Sequence, residues 1–209
     1  MKVKLCGFKD EKSIAAAISE NCNFIGFIFY EKSPRFVALE TAVKISNKIP
    51  KTVAKVAVVV DASIEFITEV VQKFSPDFFQ FHGNETVDFL CQVRQKFPQI
   101  KIIKAFKIEE LEDLKKVGDF EKCADIFLFD GKNAGSGKPF DWTILQNFST
   151  SKKWFLSGGL NVHNINEALD KTGAKMVDVS SGIEEIRGEK SPRLIAEFMA
   201  KIKEYDSRN

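Results

Sequence analysis

Two rhythms of apolar and polar positions alternate along this chain. Mainly apolar runs occupy residues 2–7, 24–30, 53–60, 78–81, 100–106, 126–129, 154–156 and 176–179. Short runs of this kind, broken only by single polar residues, suit strands buried on both faces, as in a parallel sheet. Between them the apolar residues fall three and four apart, the period of an amphipathic helix. Asp10 caps the first such stretch, with Ile14, Ala17 and Ile18 inward. The next cover 39–49 (Val43 and Ile45 inward), 63–74 with Ser63 as cap, 85–97, 109–117 and a short piece over 141–148. Val162, Ile165, Ala168 and Leu169 share a face in the seventh, and residues 192–205 form the last.

Strict alternation of strand and helix means parallel strands joined by right-handed crossovers. Eight such units predict α/β architecture closed as a single (β/α)8 TIM barrel over residues 1–209, rather than an open sheet. The 209 residues are near the short end for that fold.

The stretch 154–184 is the most informative. One strand ends in Ser157-Gly158-Gly159 and leads into a helix; the next ends in Ser180-Ser181-Gly182. Small residues let backbone N–H groups approach a ligand, and two such loops side by side form a phosphate cradle, which barrels of this kind place after strands 7 and 8. The competing reading, two tight turns, explains each loop alone but not the pair.

Composition narrows the partners. Lys+Arg 31 against Asp+Glu 29 gives a net charge of +2. That balance supports neither a nucleic-acid nor a membrane partner. Cys6, Cys22, Cys91 and Cys123 lack the spacing of a zinc site or disulfide framework, which suits a reducing compartment. No long apolar segment opens the chain, so a cytoplasmic location is expected.

A barrel points the residues at its strand ends towards one mouth. Those are Cys6, Arg35 in the loop after strand 2, His82 and Asp130, with Asp178 inside strand 8. Cys6 is either a small buried hydrophobe or a base whose thiolate is favoured by a nearby cation such as Lys4. Asp130 either caps a turn or acts as a general acid at an apolar strand end. Arg35 is either a solvated loop residue or a free bidentate reader of a carboxylate. His82 is an acid/base or a structural histidine. Gly135-Ser136-Gly137 is a lid, an anion contact or a plain loop.

In this order and at these strand ends, a set of short motifs carries a resemblance. They are Lys4-Leu5-Cys6-Gly7, Gly26-Phe27-Ile28-Phe29, Ser33-Pro34-Arg35, Gln80-Phe81-His82-Gly83, Asp130 with Gly135-Ser136-Gly137 and Phe140-Asp141-Trp142, Leu156-Ser157-Gly158-Gly159-Leu160, and Val177-Asp178-Val179-Ser180-Ser181-Gly182-Ile183-Glu184. The chain resembles the phosphoribosylanthranilate isomerase family of tryptophan biosynthesis along nearly its whole length. The resemblance implies an Amadori rearrangement of N-(5-phosphoribosyl)anthranilate without cofactor or metal. It implies Asp130 as general acid, Cys6 as general base and Arg35 on the anthranilate carboxylate. His82 and Asp178 join the substrate site, and Gly158, Gly159, Ser180, Ser181 and Gly182 hold the phosphate. The protein would work as a monomer or homodimer. Two departures bear on rate and substrate range: Phe8-Lys9 stands where the family usually has an aliphatic residue then Thr, Cys or Arg, and Ala134 replaces a usual glycine. Three rivals remain: another phosphosugar isomerase on this fold, a Schiff-base aldolase using Lys104, and a non-catalytic phosphometabolite-binding barrel.

Overall fold

The structure, a computed structural model, describes residues 1–131 and 139–208. Eight strands close on themselves in chain order: β1 (Lys2–Cys6), β2 (Phe24–Ile28), β3 (Ala54–Val59), β4 (Phe78–Phe81), β5 (Lys101–Ile108), β6 (Ile126–Gly131), β7 (Lys153–Leu156) and β8 (Met176–Val179). Every neighbouring pair is parallel, and β8 seals against β1 with Val3 opposite Val177 and Lys4 opposite Asp178. Helices α1 (Glu11–Ser19), α2 (Leu39–Ser46), α3 (Ile64–Phe74), α4 (Val87–Lys96), α5 (Ile165–Thr172) and α6 (Pro192–Asp206) lie between and after the strands.

Local chemistry sets the helix ends. Asp10 accepts from Ser13 N, and Ser63 from Phe66 N, so both predicted caps form. A cap of this kind is worth about 1 kcal/mol. α3 buries Ile67, Val70 and Phe74, at helical spacing, and stops where Ser75 turns left-handed at φ 49°.

Two predicted helices are 3-10 segments instead, at Leu111–Phe120 and Trp142–Leu145. The first fully buries only Val117 and contains Gly118. It therefore lacks the apolar stripe that makes an α-helix worth packing. The second is four residues long and is started by Asp141, which accepts from Thr143 N. A short hairpin, β9 (Glu184–Ile186) with β10 (Glu189–Lys190), stands between β8 and α6 and was not anticipated.

Alternation along the strands sorts the interior into two cores. Outward-facing residues such as Leu5, Phe27, Phe79, Phe127 and Val177 pack under the helices. Inward-facing residues, among them Phe24, Val56, Phe78, Leu128, Phe155 and Met176, fill the lumen together with Cys6. Phe24 meets Phe78 and Phe155 edge-on, with centroids 5.4 and 5.3 Å apart. None of the 20 phenylalanines is left exposed; Leu111 and Ile186 are the exposed large apolar side chains among the described residues.

Candidate active site

The alternation that buries Phe24 and Phe155 brings the polar candidates into the same lumen, nearer the C-terminal ends of the strands. On β1, Lys4 and Cys6 share the inward face. Gly26 sits directly across from Cys6, and a Cβ there would lie 2.6 Å from the sulfur. That glycine is what gives the thiol its place.

The electrostatics of Cys6 differ from the simple expectation of an activated thiolate. Burial pushes the thiol above its ordinary value, and the Lys4 charge opposes this without overcoming it. The cation expected near the sulfur is present, but it is shared. Lys4 Nζ donates to Asp178 Oδ1 at 2.8 Å, in a pair with side-chain exposures of 0% and 6%. Desolvation disfavours the ammonium, yet Asp178 outweighs it and holds Lys4 above its usual value.

Asp130 ends the apolar face of β6 and is 7% exposed. Its Oδ1 accepts from Gly131 N at 2.8 Å, and Oδ2 lies 3.3 Å from His82 Nε2. The contact lacks hydrogen-bond alignment, since His82 Nε2 has no such partner. Gln80 Nε2 is 3.0 Å from His82 Nδ1. An amide N–H donating there leaves the ring proton on Nε2, facing Asp130. His82 thereby stands beside the Asp130 carboxyl group.

Arg35 is not the free reader the sequence suggested. It is 4% exposed, and its Nε and Nη2 donate to Glu184 Oε1 and Oε2 at 2.7 and 2.8 Å. Gly7, at φ +89°, leaves the room over which the arginine stem lies; a Cβ there would sit 2.9 Å from Arg35 Cδ. Phe8 is wholly buried, and Lys9 Nζ reaches Pro34 O at 3.3 Å, so this departure from the family pattern is absorbed into the packing of the rim.

The two small-residue loops meet. Gly158 and Gly159 have φ +88° and +67°. A Cβ on Gly182 would collide with Leu160 O and come within 2.9 Å of Asn161 Cα, so the loop after β8 presses on the loop after β7. The side-chain amides of Asn161 and Asn164 both donate to Gly159 O, at 3.1 and 2.9 Å, fixing that peptide. Ser180 Oγ donates to Cys6 O at 2.9 Å and ties the loop to the end of β1. Gly158 also abuts Asp130, whose Oδ1 would lie 3.1 Å from an added Cβ. The glycine loop after β7 and the Asp130 carboxyl group are thus neighbours. Gly135-Ser136-Gly137 and Ala134 lie outside the described residues.

Lys104, the candidate for a Schiff base, is bound elsewhere. Its Nζ donates to the buried Glu85 Oε2 at 2.7 Å and to Gly83 O at 2.8 Å. Among the described residues no group of three or more metal-ligating side chains occurs.

Glu184 and Lys190 belong to the site and were not singled out from sequence. Their signal was a Glu and a Lys in the short segment between the last strand and the last helix, where a barrel's mouth is completed.

Comparison with known proteins agrees with this geometry. The family model described as N-(5'-phosphoribosyl)anthranilate (PRA) isomerase matches residues 3–201. A curated N-(5'-phosphoribosyl)anthranilate isomerase from Parvibaculum lavamentivorans is 37% identical over 212 residues, covering 97% of this chain and 98% of that one. The solved phosphoribosyl anthranilate isomerase of Thermotoga maritima superposes with a TM-score of 0.89 at 31% identity, over 98% and 99% of the two chains. Another, solved in complex with reduced 1-(o-carboxyphenylamino)-1-deoxyribulose 5-phosphate, gives 0.85 at 28% identity over the same shares. A family match spanning nearly every strand of the barrel leaves one assignment: the chain belongs to the N-(5'-phosphoribosyl)anthranilate isomerase family.

Proposed function

We propose that Asp130 and Cys6 divide the acid and base work of the family reaction, an Amadori rearrangement in tryptophan biosynthesis. N-(5-phosphoribosyl)anthranilate becomes 1-(2-carboxyphenylamino)-1-deoxyribulose 5-phosphate. The observation that carries this reading is the convergence of one buried thiol and one buried carboxyl group on the lumen mouth, from β1 and β6, beside two interlocked glycine loops.

Asp130 gives its proton to the furanose ring oxygen. The C1–O bond breaks as the nitrogen lone pair forms a protonated imine on the substrate itself. Cys6 then takes the proton from C2, and the electrons of that C–H bond neutralise the iminium, giving an enolamine. Tautomerisation returns a proton to C1 and leaves the C2 ketone. The iminium charge lowers the cost of breaking the C–H bond and favours the thiolate, so Cys6, whose thiol burial holds high, passes its proton to solvent as substrate binds and then serves as the base.

The other groups orient. Arg35 receives the anthranilate carboxylate; Asp178 faces the sugar; His82, beside Asp130, joins the substrate contacts. Gly158, Gly159, Ser180, Ser181 and Gly182 cradle the phosphate through backbone and hydroxyl donors. The small-molecule substrate is the partner, no cofactor is needed, and residues 1–209 act as one domain, as monomer or homodimer, in the cytoplasm. No helix among the described residues is long and apolar enough to cross a membrane.

The test is turnover of phosphoribosylanthranilate generated in situ, followed by loss of its fluorescence, for wild type and Cys6→Ala together with a thermal melt of each. Turnover in the wild type, and a folded variant with kcat lower by about 100-fold or more, is the expected result. A folded, fully active Cys6→Ala overturns the base assignment.

A further inference from the structure

Arg35 and Glu184 do not form a closed pair. Lys190 Nζ also grips Glu184 Oε1, and Gly188 N donates to Oε2 at 3.1 Å. The same ammonium donates to Ser180 O and Oγ at 3.0 and 3.1 Å. Side-chain exposures are 5% for Arg35, 3% for Glu184 and 1% for Lys190. Two buried cations therefore share one buried carboxylate at the edge of the mouth. The adjacent Lys4–Asp178 pair is neutral in sum and cancels none of this surplus. Lys9 Nζ is turned to Pro34 O at the exposed rim.

A buried excess of one positive charge is costly unless an anion completes it. Without Lys190, Glu184 would neutralise Arg35 completely. An incoming carboxylate would then meet a saturated guanidinium and a second carboxylate beside it.

We propose that Lys190 is a positioning residue for substrate binding: by sharing Glu184 it leaves Arg35 with unspent positive charge for the substrate's carboxylate. The inference rests on the assignment of Arg35 to that carboxylate, and adds the residue that makes Arg35 available. Lys190 also bonds Ser180, whose hydroxyl reaches Cys6 O, so one network joins the carboxylate reader, the phosphate loop and the strand end that bears the base.

A pH signature follows. Burial pulls the Lys190 ammonium down to about 8, against the opposing pull of Glu184. The titratable and charged groups facing it are Glu184 on β9, Arg35 from the loop after β2 and Cys6 on β1. Only protonated Lys190 draws the charge of Glu184 away from Arg35, so KM should rise as pH climbs through about 8. The substrate's phosphate and carboxylate are already ionised there.

The test is steady-state kinetics on phosphoribosylanthranilate for wild type, Lys190→Met and Lys190→Arg, from pH 6.5 to 9.5, with a thermal melt of each. Lys190→Met should raise KM by about tenfold or more and leave kcat within about threefold, the pattern of lost ground-state binding. Lys190→Arg should restore KM and lose its alkaline rise, because a guanidinium does not titrate in this range. If Lys190→Met does not fold, the pH profile of Lys190→Arg decides alone. An unchanged KM in folded Lys190→Met, or a Lys190→Arg profile that climbs like the wild type, overturns the inference. A wild type without turnover overturns the underlying function, and the inference with it.

Discussion

The two ends of the barrel lumen are built by the same strands and the same alternation, yet they are filled with opposite chemistry. At the N-terminal ends, Phe24, Phe78, Ile126 and Met176 open their strands, Phe155 packs among them, and aromatic edges meet aromatic faces. At the C-terminal ends stand Cys6, Asp130, Asp178, Arg35 and Lys190, all buried and most of them ionisable. Burying apolar surface stabilises a fold at about 25 cal/mol per Å², whereas burying charge at best breaks even when it is paired. The floor of the lumen therefore holds the barrel together, and the mouth is maintained at some expense in stability. Substitutions at the mouth should strike turnover and spare folding; those at the floor should do the reverse.

The sharpest separation is expected at Asp130. Asp130→Asn keeps the shape and loses the transferable proton, so kcat should fall by about 100- to 10,000-fold. The thermal midpoint should stay near the wild-type value, because the acceptor on Gly131 N can be retained by the amide oxygen. Wild-type kcat in this variant would remove the acid role. A collapsed midpoint would make the mouth part of the structural core and erase the contrast.

Phe155→Ala tests the floor. The side chain is fully buried and packs edge-on against Phe24. Truncation should cost about 3–5 kcal/mol of unfolding free energy, read by denaturant titration. The folded fraction should keep its kcat, since the ring packs edge-on against Phe24 at the start of β2. A variant as stable as wild type but slow in turnover would show that the floor sets the mouth geometry after all.

How much of this could be read from sequence follows the same division. The floor and the barrel were legible because periodicity reports burial directly: eight apolar runs became eight strands. The spacing over 109–117 predicts an α-helix, but the structure forms a 3-10 segment at Leu111–Phe120, because Val117 alone of its side chains is buried. At the mouth, residue types and places were legible, and Cys6, Asp130 and the glycine loops lie at strand ends as expected. Charge pairing was not. That Arg35 is held by Glu184, far along the chain, and Lys4 by Asp178 depends on the closure of β8 against β1 and of the final loop over the mouth. Periodicity carries no trace of which buried cation meets which anion. The net direction of the Cys6 thiol was equally hidden, because it depends on burial outweighing Lys4.

Gly26 lies where the two regimes meet and offers the mildest and most specific probe. It pairs with Cys6 across β1 and β2, and a methyl group added there would fall 2.6 Å from Sγ and 3.2 Å from Cys6 Cα. Its backbone is ordinary strand, unlike that of Gly7 or Gly158, so Gly26→Ala introduces crowding without left-handed strain. The short cysteine side chain must swing or β1 must shift. A displacement on the order of 1 Å at a reacting group costs about 100-fold in rate, while mild overpacking costs about 1–3 kcal/mol of stability. The expected result is a folded protein with kcat down by about that factor and KM little changed, because the contacts proposed for the substrate's carboxylate and phosphate come from other loops. Equal kcat in the folded variant would mean that the thiol's position is uncritical, and the line between structural floor and catalytic mouth would have to be drawn above Cys6.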